Sequence, residues 1–98
     1  MLARNKARLE EAAAEFGPAA MALEADLLDT GSLGRAFAGA AEEFGGLDIL
    51  VNNAGVSGLS TIEKLGDREL HAETMTNFGG TVACCREAIG LMRAAGGG

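Results

Sequence analysis

The sequence predicts an α/β fold in which short parallel strands alternate with helices and the sheet is incomplete. Two short apolar segments, residues 20–25 and Leu47–Val51, are separated by a longer helical pattern. A strand, a helix and a strand in this order form a βαβ unit with parallel strands and a right-handed crossover. Asn52–Gly55 follows the second segment at once, as is typical of a buried parallel strand that ends at a ligand-binding edge.

Three helices are predicted from apolar residues at helical spacing and from residues that favour helix ends. Asn5 is a suitable N-cap for the first helix, and Gly17-Pro18 is a strong stop signal after it. The short segment Met1–Ala3 is interpreted as the end of another strand. The predicted helices begin at Asn5, at Asp29 or Thr30 and at Gly66 or Asp67, and they end at Phe16, at Gly45-Gly46 and near Ala94.

Length and composition limit the chain to one small domain. It has 98 residues with no Trp, no Tyr and four Phe, so its core should be thin for an independently folding unit. The net charge of −6 is dispersed, which argues against nucleic acid and anionic membranes as partners. No apolar run approaches the ~18 residues that cross a bilayer, and the first residues do not resemble a signal peptide. A cytoplasmic location is therefore expected.

The cysteines and the single histidine do not predict a reactive or metal-binding centre. Cys84 and Cys85 are adjacent in a helical pattern, where side chains diverge by about 100° and a mutual disulfide is disfavoured. They are interpreted as buried, inert thiols. A zinc site needs further ligands, and His71 is expected to be an exposed helix residue without an acidic partner.

Four sequence elements, in order and at matching spacing, carry a resemblance to a known family. They are Arg4-Asn5, Asp26, Asn52-Asn53-Ala54-Gly55 and Asn77-Phe78-Gly79-Gly80. Together they resemble the short-chain dehydrogenases/reductases, which are NAD(P)(H)-dependent oxidoreductases. The resemblance implies that residues 1–98 form a partial NAD(P)-binding, Rossmann-like domain.

The resemblance implies a role in cofactor binding for several of these residues. In the family, an acidic residue at the position of Asp26 accepts a hydrogen bond from the adenine amino group, and the next backbone N–H, here that of Leu27, assists. Asn53, Ala54 and Gly55 would line the cofactor ribose, and Asn52 would brace the sheet. The alternatives are that Asp26 is an ordinary turn residue and that residues 52–55 only end a strand.

Two further elements bear on catalysis and on the choice of cofactor. Asn77 and the following glycines break helix propensity, which often marks functional or tightly packed sites. The family's Asn at this position holds a water that links the catalytic Lys to a proton relay; close packing at the glycines is the alternative. Ala3 followed by Arg4 favours NADP(H) over NAD(H) by the same resemblance, although Arg4 is equally explained as a solvated surface residue.

Other elements of the family pattern are not found in these residues. The glycine-rich phosphate loop would lie before Met1, and the catalytic Ser and Tyr-x-x-x-Lys would lie after Gly98. The chain has no Tyr, and neither Lys6 nor Lys64 stands in such a motif. We therefore expect a fragment of an enzyme that transfers hydride between NAD(P)(H) and a small alcohol or carbonyl substrate. Alone, this chain is expected to be inactive, because it lacks the general acid.

Two alternatives to an enzyme fragment stay open. The chain could be a non-enzymatic interaction module that pairs with an intact relative, or oligomerises, through Phe78, Val82, Ile89 and Met92 of the long helix. It could also be a non-functional product of an interrupted reading frame, which the final glycines favour. In the family's sheet the strands ending near Asp26 and Asn52 lie three steps of ~4.8 Å apart. We expect a folded monomer to pair them directly, and we expect the isolated chain to be marginally stable, partly molten or prone to aggregation.

Overall fold

A computed structural model describes all residues from Met1 to Gly98 and has the expected α/β architecture. A short 3₁₀ turn follows the first helix at Gly17–Ala19, and a π-helical turn at Met75–Gly79 divides the last helical region. The regular elements are β1 (Leu2–Ala3), α1 (Lys6–Ala14), β2 (Leu23–Glu24), α2 (Thr30–Phe44), α3 (Asp67–Thr74) and α4 (Gly80–Ala94).

The sheet consists of two short parallel strands. β1 pairs with β2 in the register Leu2 to Leu23 and Ala3 to Glu24. Backbone N–H groups of Leu23 and Ala25 donate to the carbonyls of Met1 and Ala3 at 2.9 and 3.1 Å. The incomplete parallel sheet and the strand at the amino terminus are therefore confirmed, and the second strand is shorter than the segment 20–25.

The strand predicted at Leu47–Val51 does not form, and the expectation of direct pairing with the strand before Asp26 is wrong. No backbone group between residues 47 and 55 takes part in a hydrogen bond. Ile49 and Val51 are 77% and 78% exposed, whereas a central parallel strand buries both faces. The apolar pattern is that of a strand, but no neighbouring strand lies beside it to complete the ladder.

Helix ends follow the predicted signals closely. The Asn5 side chain accepts from the Arg8 N–H at 3.1 Å, and Asp29 accepts from the N–H groups of Gly31 and Ser32 at 3.0 and 3.2 Å. Asp29, rather than Thr30, is therefore the N-cap of α2. Gly45 ends α2 with φ of 79°, a conformation that favours glycine.

The long third helix is not one continuous α-helix. It divides into α3 and α4 at a π-helical turn that contains Asn77, where local helix propensity is weakest. Three apolar residues of the predicted interaction surface are accessible, since Phe78 is 71% exposed and Val82 and Ile89 are about half exposed. The face that packs inward carries Ala83, Cys84 and Ala88.

The core is as thin as the composition predicts, since only ten residues are buried. It lies mainly between α2 and α4, around the fully buried Leu33 and beside Ala25 at the end of β2. Gly80 permits a close approach of α4 to the sheet, because a Cβ there would lie 2.8 Å from the Cβ of Leu27. None of the helices is both long and apolar enough to span a lipid bilayer.

Candidate functional site

A cavity of about 200 Å³ lies where the carboxyl ends of three chain segments converge. β1 leads into it through Ala3 and Arg4, and β2 leads into it through Ala25 to Leu27. The segment after Val51 contributes Ala54 to Val56. Ligands bind at this edge of open parallel sheets, so the convergence identifies the candidate site. We call this space the cofactor-side cavity.

The structure brings five of the seven predicted site residues to this cavity. Arg4, Asp26, Leu27, Ala54 and Gly55 all line it. Asn53 instead lines a neighbouring cavity of about 430 Å³, which it shares with Ala54. The side chain of Asn77 does not line the cofactor-side cavity, but it contacts a residue that does.

Asp26 is positioned by the turn between β2 and α2. One of its carboxylate oxygens, Oδ1, accepts the Leu28 N–H at 2.9 Å, and the Asp26 N–H donates to the Ser32 hydroxyl at 3.1 Å. The other carboxylate oxygen accepts no hydrogen bond within the chain, and the Leu27 N–H donates none. A free acceptor and a free donor therefore belong to two consecutive residues that line the cavity.

Positive charge is concentrated on one side of the site although the net charge of the chain is −6. Arg4, Lys6 and Arg8 line an open surface depression around the N-terminus of α1. The Asn5 side chain accepts a hydrogen bond from the Arg8 N–H. The backbone N–H groups of Lys6 and Ala7 have no partners in the chain. Arginine together with free N–H groups at a helix N-terminus favours an anion.

The structure gives Asn52 and Gly55 specific contacts within the protein and leaves Asn53 without a hydrogen bond. Asn52 does not brace the sheet: its Nδ2 donates to the sulfur of Cys85 on α4 at 3.4 Å. The small size of Gly55 is explained within the protein, because a Cβ there would lie 3.2 Å from the Asn77 Oδ1. Asn53 is exposed and forms no hydrogen bond.

Asn77 ties the π-helical turn to the end of the 47–55 segment. Its Oδ1 accepts the Val56 N–H at 2.8 Å, and its Nδ2 donates to the Val56 carbonyl at 2.7 Å. The Asn77 carbonyl accepts the Thr81 hydroxyl at 2.7 Å. In this chain Asn77 therefore acts as a positioning residue that fixes the wall of the cofactor-side cavity at Val56.

Ala25, Val56 and Thr76 also line the cavity and were not predicted. Thr76 precedes Asn77 in the π-helical turn, so the break in helix propensity indicated its neighbourhood but not its side chain. Val56 directly follows the Asn-Asn-Ala-Gly stretch, and Ala25 precedes Asp26. Small apolar residues of this kind give no chemical signal in a sequence without a structure.

The two cysteines differ in their environments. Cys84 is buried in the core, and desolvation raises the pKa of its thiol above the usual range. Cys85 is half-buried and contacts Asn52. Both are free thiols, so the prediction of a buried thiol is confirmed for Cys84 and is only partly met by Cys85.

The lining of the cofactor-side cavity can bind and orient a ligand but offers little proton chemistry. Its titratable side chains are Arg4 and Asp26 alone. Arg stays protonated at physiological pH, and Asp26 accepts a backbone N–H, which suits a binding carboxylate. The residues fit the adenosine end of a dinucleotide: a carboxylate and an N–H for the base edge, small residues beside the sugar, and cations for phosphate.

Comparisons with known proteins agree with this geometry. The family model described as short chain dehydrogenase matches residues 1–98. An uncharacterized oxidoreductase of Schizosaccharomyces pombe is 37% identical over 76 residues, which cover 78% of this chain and 26% of that protein. The chain thus spans about a quarter of the length of this relative.

Two crystal structures are similar over nearly the whole chain. A 3-ketoacyl-ACP reductase from Sinorhizobium meliloti 1021 has a TM-score of 0.90 and 34% identity, covering 99% of this chain and 40% of its own. A 3-ketoacyl-(acyl-carrier-protein) reductase from Brucella melitensis, complexed with NADH, has a TM-score of 0.91 and 32% identity. It covers 97% of this chain and 39% of its own.

Proposed function

Because this chain belongs to the short-chain dehydrogenase family, we propose that it forms the adenosine-binding side of the NAD(P)(H) site of an oxidoreductase. The convergence of Arg4, Asp26, Leu27 and Gly55 on one cavity carries the proposal. It is supported by the NADH complex of the Brucella melitensis reductase, which is similar over 97% of this chain. In the complete protein the bound cofactor would, in its reduced form, donate a hydride to a small carbonyl compound or, in its oxidised form, accept one from the corresponding alcohol.

Each binding role follows from a group that is free in the structure. The unpaired oxygen of Asp26 would accept a hydrogen bond from the adenine amino group, and the Leu27 N–H would donate one to the adjacent ring nitrogen. Ala54 and Gly55 leave room for the ribose. Asn53 lines the neighbouring cavity, and its proposed contact is with the ribose.

We propose that NADP(H) is preferred over NAD(H). The positively charged depression contains Arg4, Lys6 and Arg8 together with the free N–H groups at the N-terminus of α1. A 2′-phosphate there would gain charge-assisted hydrogen bonds of about 1.5–3 kcal/mol each, which NAD(H) lacks. Such a difference corresponds to roughly 10- to 100-fold in affinity.

We also propose that the 98 residues alone do not catalyse hydride transfer. The chain contains no Tyr, and no other general acid lines the cofactor-side cavity. Asn77 is a positioning residue in this proposal, since its side chain is occupied by Val56 while its carbonyl accepts from Thr81. The proton-transfer groups would come from residues outside this chain.

Isothermal titration calorimetry with NADPH and NADH tests the proposed cofactor site. The expected result is tighter binding of NADPH, and Arg4→Glu should weaken NADPH at least about tenfold while changing NADH little. Arg68→Glu is the matched control, because Arg68 is exposed on α3 and lines no cavity near the site. Equal losses of affinity for NADPH and NADH in Arg4→Glu would contradict the NADP(H) preference. The absence of binding of either dinucleotide to the unsubstituted chain would contradict the proposed site.

A second candidate function is that of an interaction module. It is favoured by one observation: Phe78 in the π-helical turn is 71% exposed, and Val82 and Ile89 on α4 are 50% and 48% exposed. An intact relative could bury these side chains. Co-purification of this chain with such a relative, and its loss in Val82→Asp, would support this function; failure to associate at micromolar concentrations would count against it.

A further inference from the structure

The candidate site continues past Asp26 into a second cavity of about 420 Å³, hereafter the base-side cavity. It shares Arg4, Ala25 and Asp26 with the cofactor-side cavity. Ligand pockets usually enclose about 300–1,000 Å³, whereas the cofactor-side cavity alone encloses about 200 Å³. A ligand held at Asp26 therefore has room to extend into the base-side cavity.

Two polar side chains of the base-side cavity are already engaged within the chain. Asp29 Oδ1 accepts the N–H groups of Gly31 and Ser32 at the start of α2. The Ser32 hydroxyl donates to the Asp29 carbonyl at 2.8 Å and accepts the Asp26 N–H at 3.1 Å. These hydrogen bonds hold the turn between β2 and α2, so they position the cavity wall rather than a ligand.

Arg35, in contrast, has no partner in the chain. It is exposed on the second turn of α2 and lines the base-side cavity. Its guanidinium is folded back over the first turn of the helix, because a Cβ on Gly31 would lie 3.5 Å from its Nη1. Neither of the two ion pairs in the chain includes Arg35. All five of its N–H donors are therefore available to a ligand.

The charges around the base-side cavity suit an uncharged polar ring better than a phosphate group. Three carboxylates, of Glu24, Asp26 and Asp29, line it together with two guanidinium groups. These carboxylates would repel a phosphate. The positively charged depression around the N-terminus of α1, where we place the 2′-phosphate, contains Arg4 but not Arg35.

An adenine ring matches the two groups that stay free. Its amino group is a donor for the unpaired oxygen of Asp26, which accepts the Leu28 N–H only through Oδ1. A planar guanidinium binds either the face of an aromatic ring or an acceptor on its edge. Asp26 and Arg35 line the same cavity, so both can contact one base.

We propose that Arg35 is a further cofactor-binding residue, which contacts the adenine base held at Asp26. This inference rests on the proposed function and adds a binding group from α2 to a site otherwise formed at the ends of the strands and of the segment after Val51. Because Arg35 contacts the base and not the 2′-phosphate, it contributes equally to the binding of NADH and NADPH. Arg4, in contrast, distinguishes the two dinucleotides.

Isothermal titration calorimetry with Arg35→Leu tests this role. The affinity for NADH and the affinity for NADPH should both fall about three- to tenfold, by the same factor, as expected for the loss of a cation contact to an aromatic base. Arg68→Leu is the matched control, because Arg68 is exposed on α3 and lines neither cavity. Thermal unfolding of each variant shows that the fold persists.

A second variant removes the guanidinium from the cavity without deleting it. Gly31→Glu places a carboxylate four residues before Arg35, the spacing and order at which the two side chains pair on a helix. It should weaken NADH about as much as Arg35→Leu does. In the Arg35→Leu background the same substitution should have little further effect, because the group that it pairs with is gone.

The possible failures are distinguishable. Unchanged affinity for both dinucleotides in a folded Arg35→Leu variant would overturn the role of Arg35 and leave the proposed cofactor site standing. A loss confined to NADPH would also overturn it, since Arg35 would then contact the 2′-phosphate. The same holds for an equal effect of Gly31→Glu with and without Arg35. The absence of binding of either dinucleotide to the unsubstituted chain would contradict the proposed function, and the role of Arg35 with it.

Discussion

The side chain of Asn77 satisfies both backbone polar groups of Val56, with hydrogen bonds of 2.8 and 2.7 Å. This pairing replaces the strand ladder that the chain lacks at this point, and it joins the π-helical turn to the wall of the candidate site. Asn77 thereby explains two neighbouring features at once: the interruption of the long helix, and the glycine at position 55, where a Cβ would crowd its Oδ1.

Asn77→Ala should loosen the cavity wall. Two partly solvated hydrogen bonds are lost, so we expect about 1 kcal/mol less stability and clearly faster amide exchange at Val56. Asn53→Ala is the control, since Asn53 is exposed and makes no hydrogen bond. Hydrogen-exchange mass spectrometry over the peptide that contains Val56 measures the effect; unchanged exchange in Asn77→Ala would contradict the positioning role.

Gly80→Ala should destabilise the packing of α4 against the end of β2. The new Cβ would lie 2.8 Å from the Cβ of Leu27, so the helix must shift, at a cost of about 1–3 kcal/mol. Gly90→Ala is the matched control on the same helix, because no atom lies within 4 Å of a Cβ there. It should stabilise by about 0.5–1 kcal/mol. Thermal unfolding midpoints that shift in the same direction for both variants would contradict the close packing of Gly80 against Leu27.

Asp29→Ala should weaken the start of α2. Asp29 accepts from two free N–H groups, of Gly31 and Ser32, and removing an N-cap of this kind costs about 1 kcal/mol. Asp48→Ala removes the same charge from an exposed residue that forms no hydrogen bond. Equal urea midpoints for the two variants would show that the cap contributes nothing.

The two cysteines should differ in reactivity towards iodoacetamide. Cys84 is buried and its thiol pKa is raised, so it should label only when the chain unfolds, whereas Cys85 should label in the folded state. Mass spectrometry of wild type and of Cys85→Ser separates the two sites. Rapid labelling of Cys84 in the folded Cys85→Ser variant would show that the core around α4 is open.

The same thiol makes stability depend on pH in the alkaline range. The pKa of the Cys84 thiol is higher in the folded chain than in the unfolded chain. The stability that the protonated thiol contributes is therefore fully present below the unfolded pKa, about 8.5, and is lost as the pH rises through the folded pKa. Urea unfolding of the wild type should therefore weaken at high pH more than that of Cys84→Ala. Parallel pH profiles for the two proteins would contradict the burial of this group.

Sequence patterns predicted the elements that depend on local interactions. The caps at Asn5 and Asp29 and the glycine stop at Gly45 follow from side-chain and backbone preferences over a few residues. These features require no knowledge of which other segments lie nearby.

The misjudged elements depend on distant partners. Leu47–Val51 has the composition of a strand, but strand structure needs a hydrogen-bonding neighbour, and none lies beside it. The inward face of α4 likewise depends on where α2 and Leu27 lie. The role predicted for Asn53 stays a prediction: its side chain is exposed, and it lines a cavity of about 430 Å³ beside the cofactor-side cavity.

A titration of the isotopically labelled chain with NADPH, followed by amide NMR, tests the central proposal most directly. The account predicts shifts confined to the cofactor-side cavity and the N-terminus of α1, at Arg4, Lys6, Leu27, Gly55 and Val56. The amides of α4 beyond Ala88 should stay unchanged. Shifts centred elsewhere, or none at millimolar NADPH in a chain whose spectrum is folded, would contradict it.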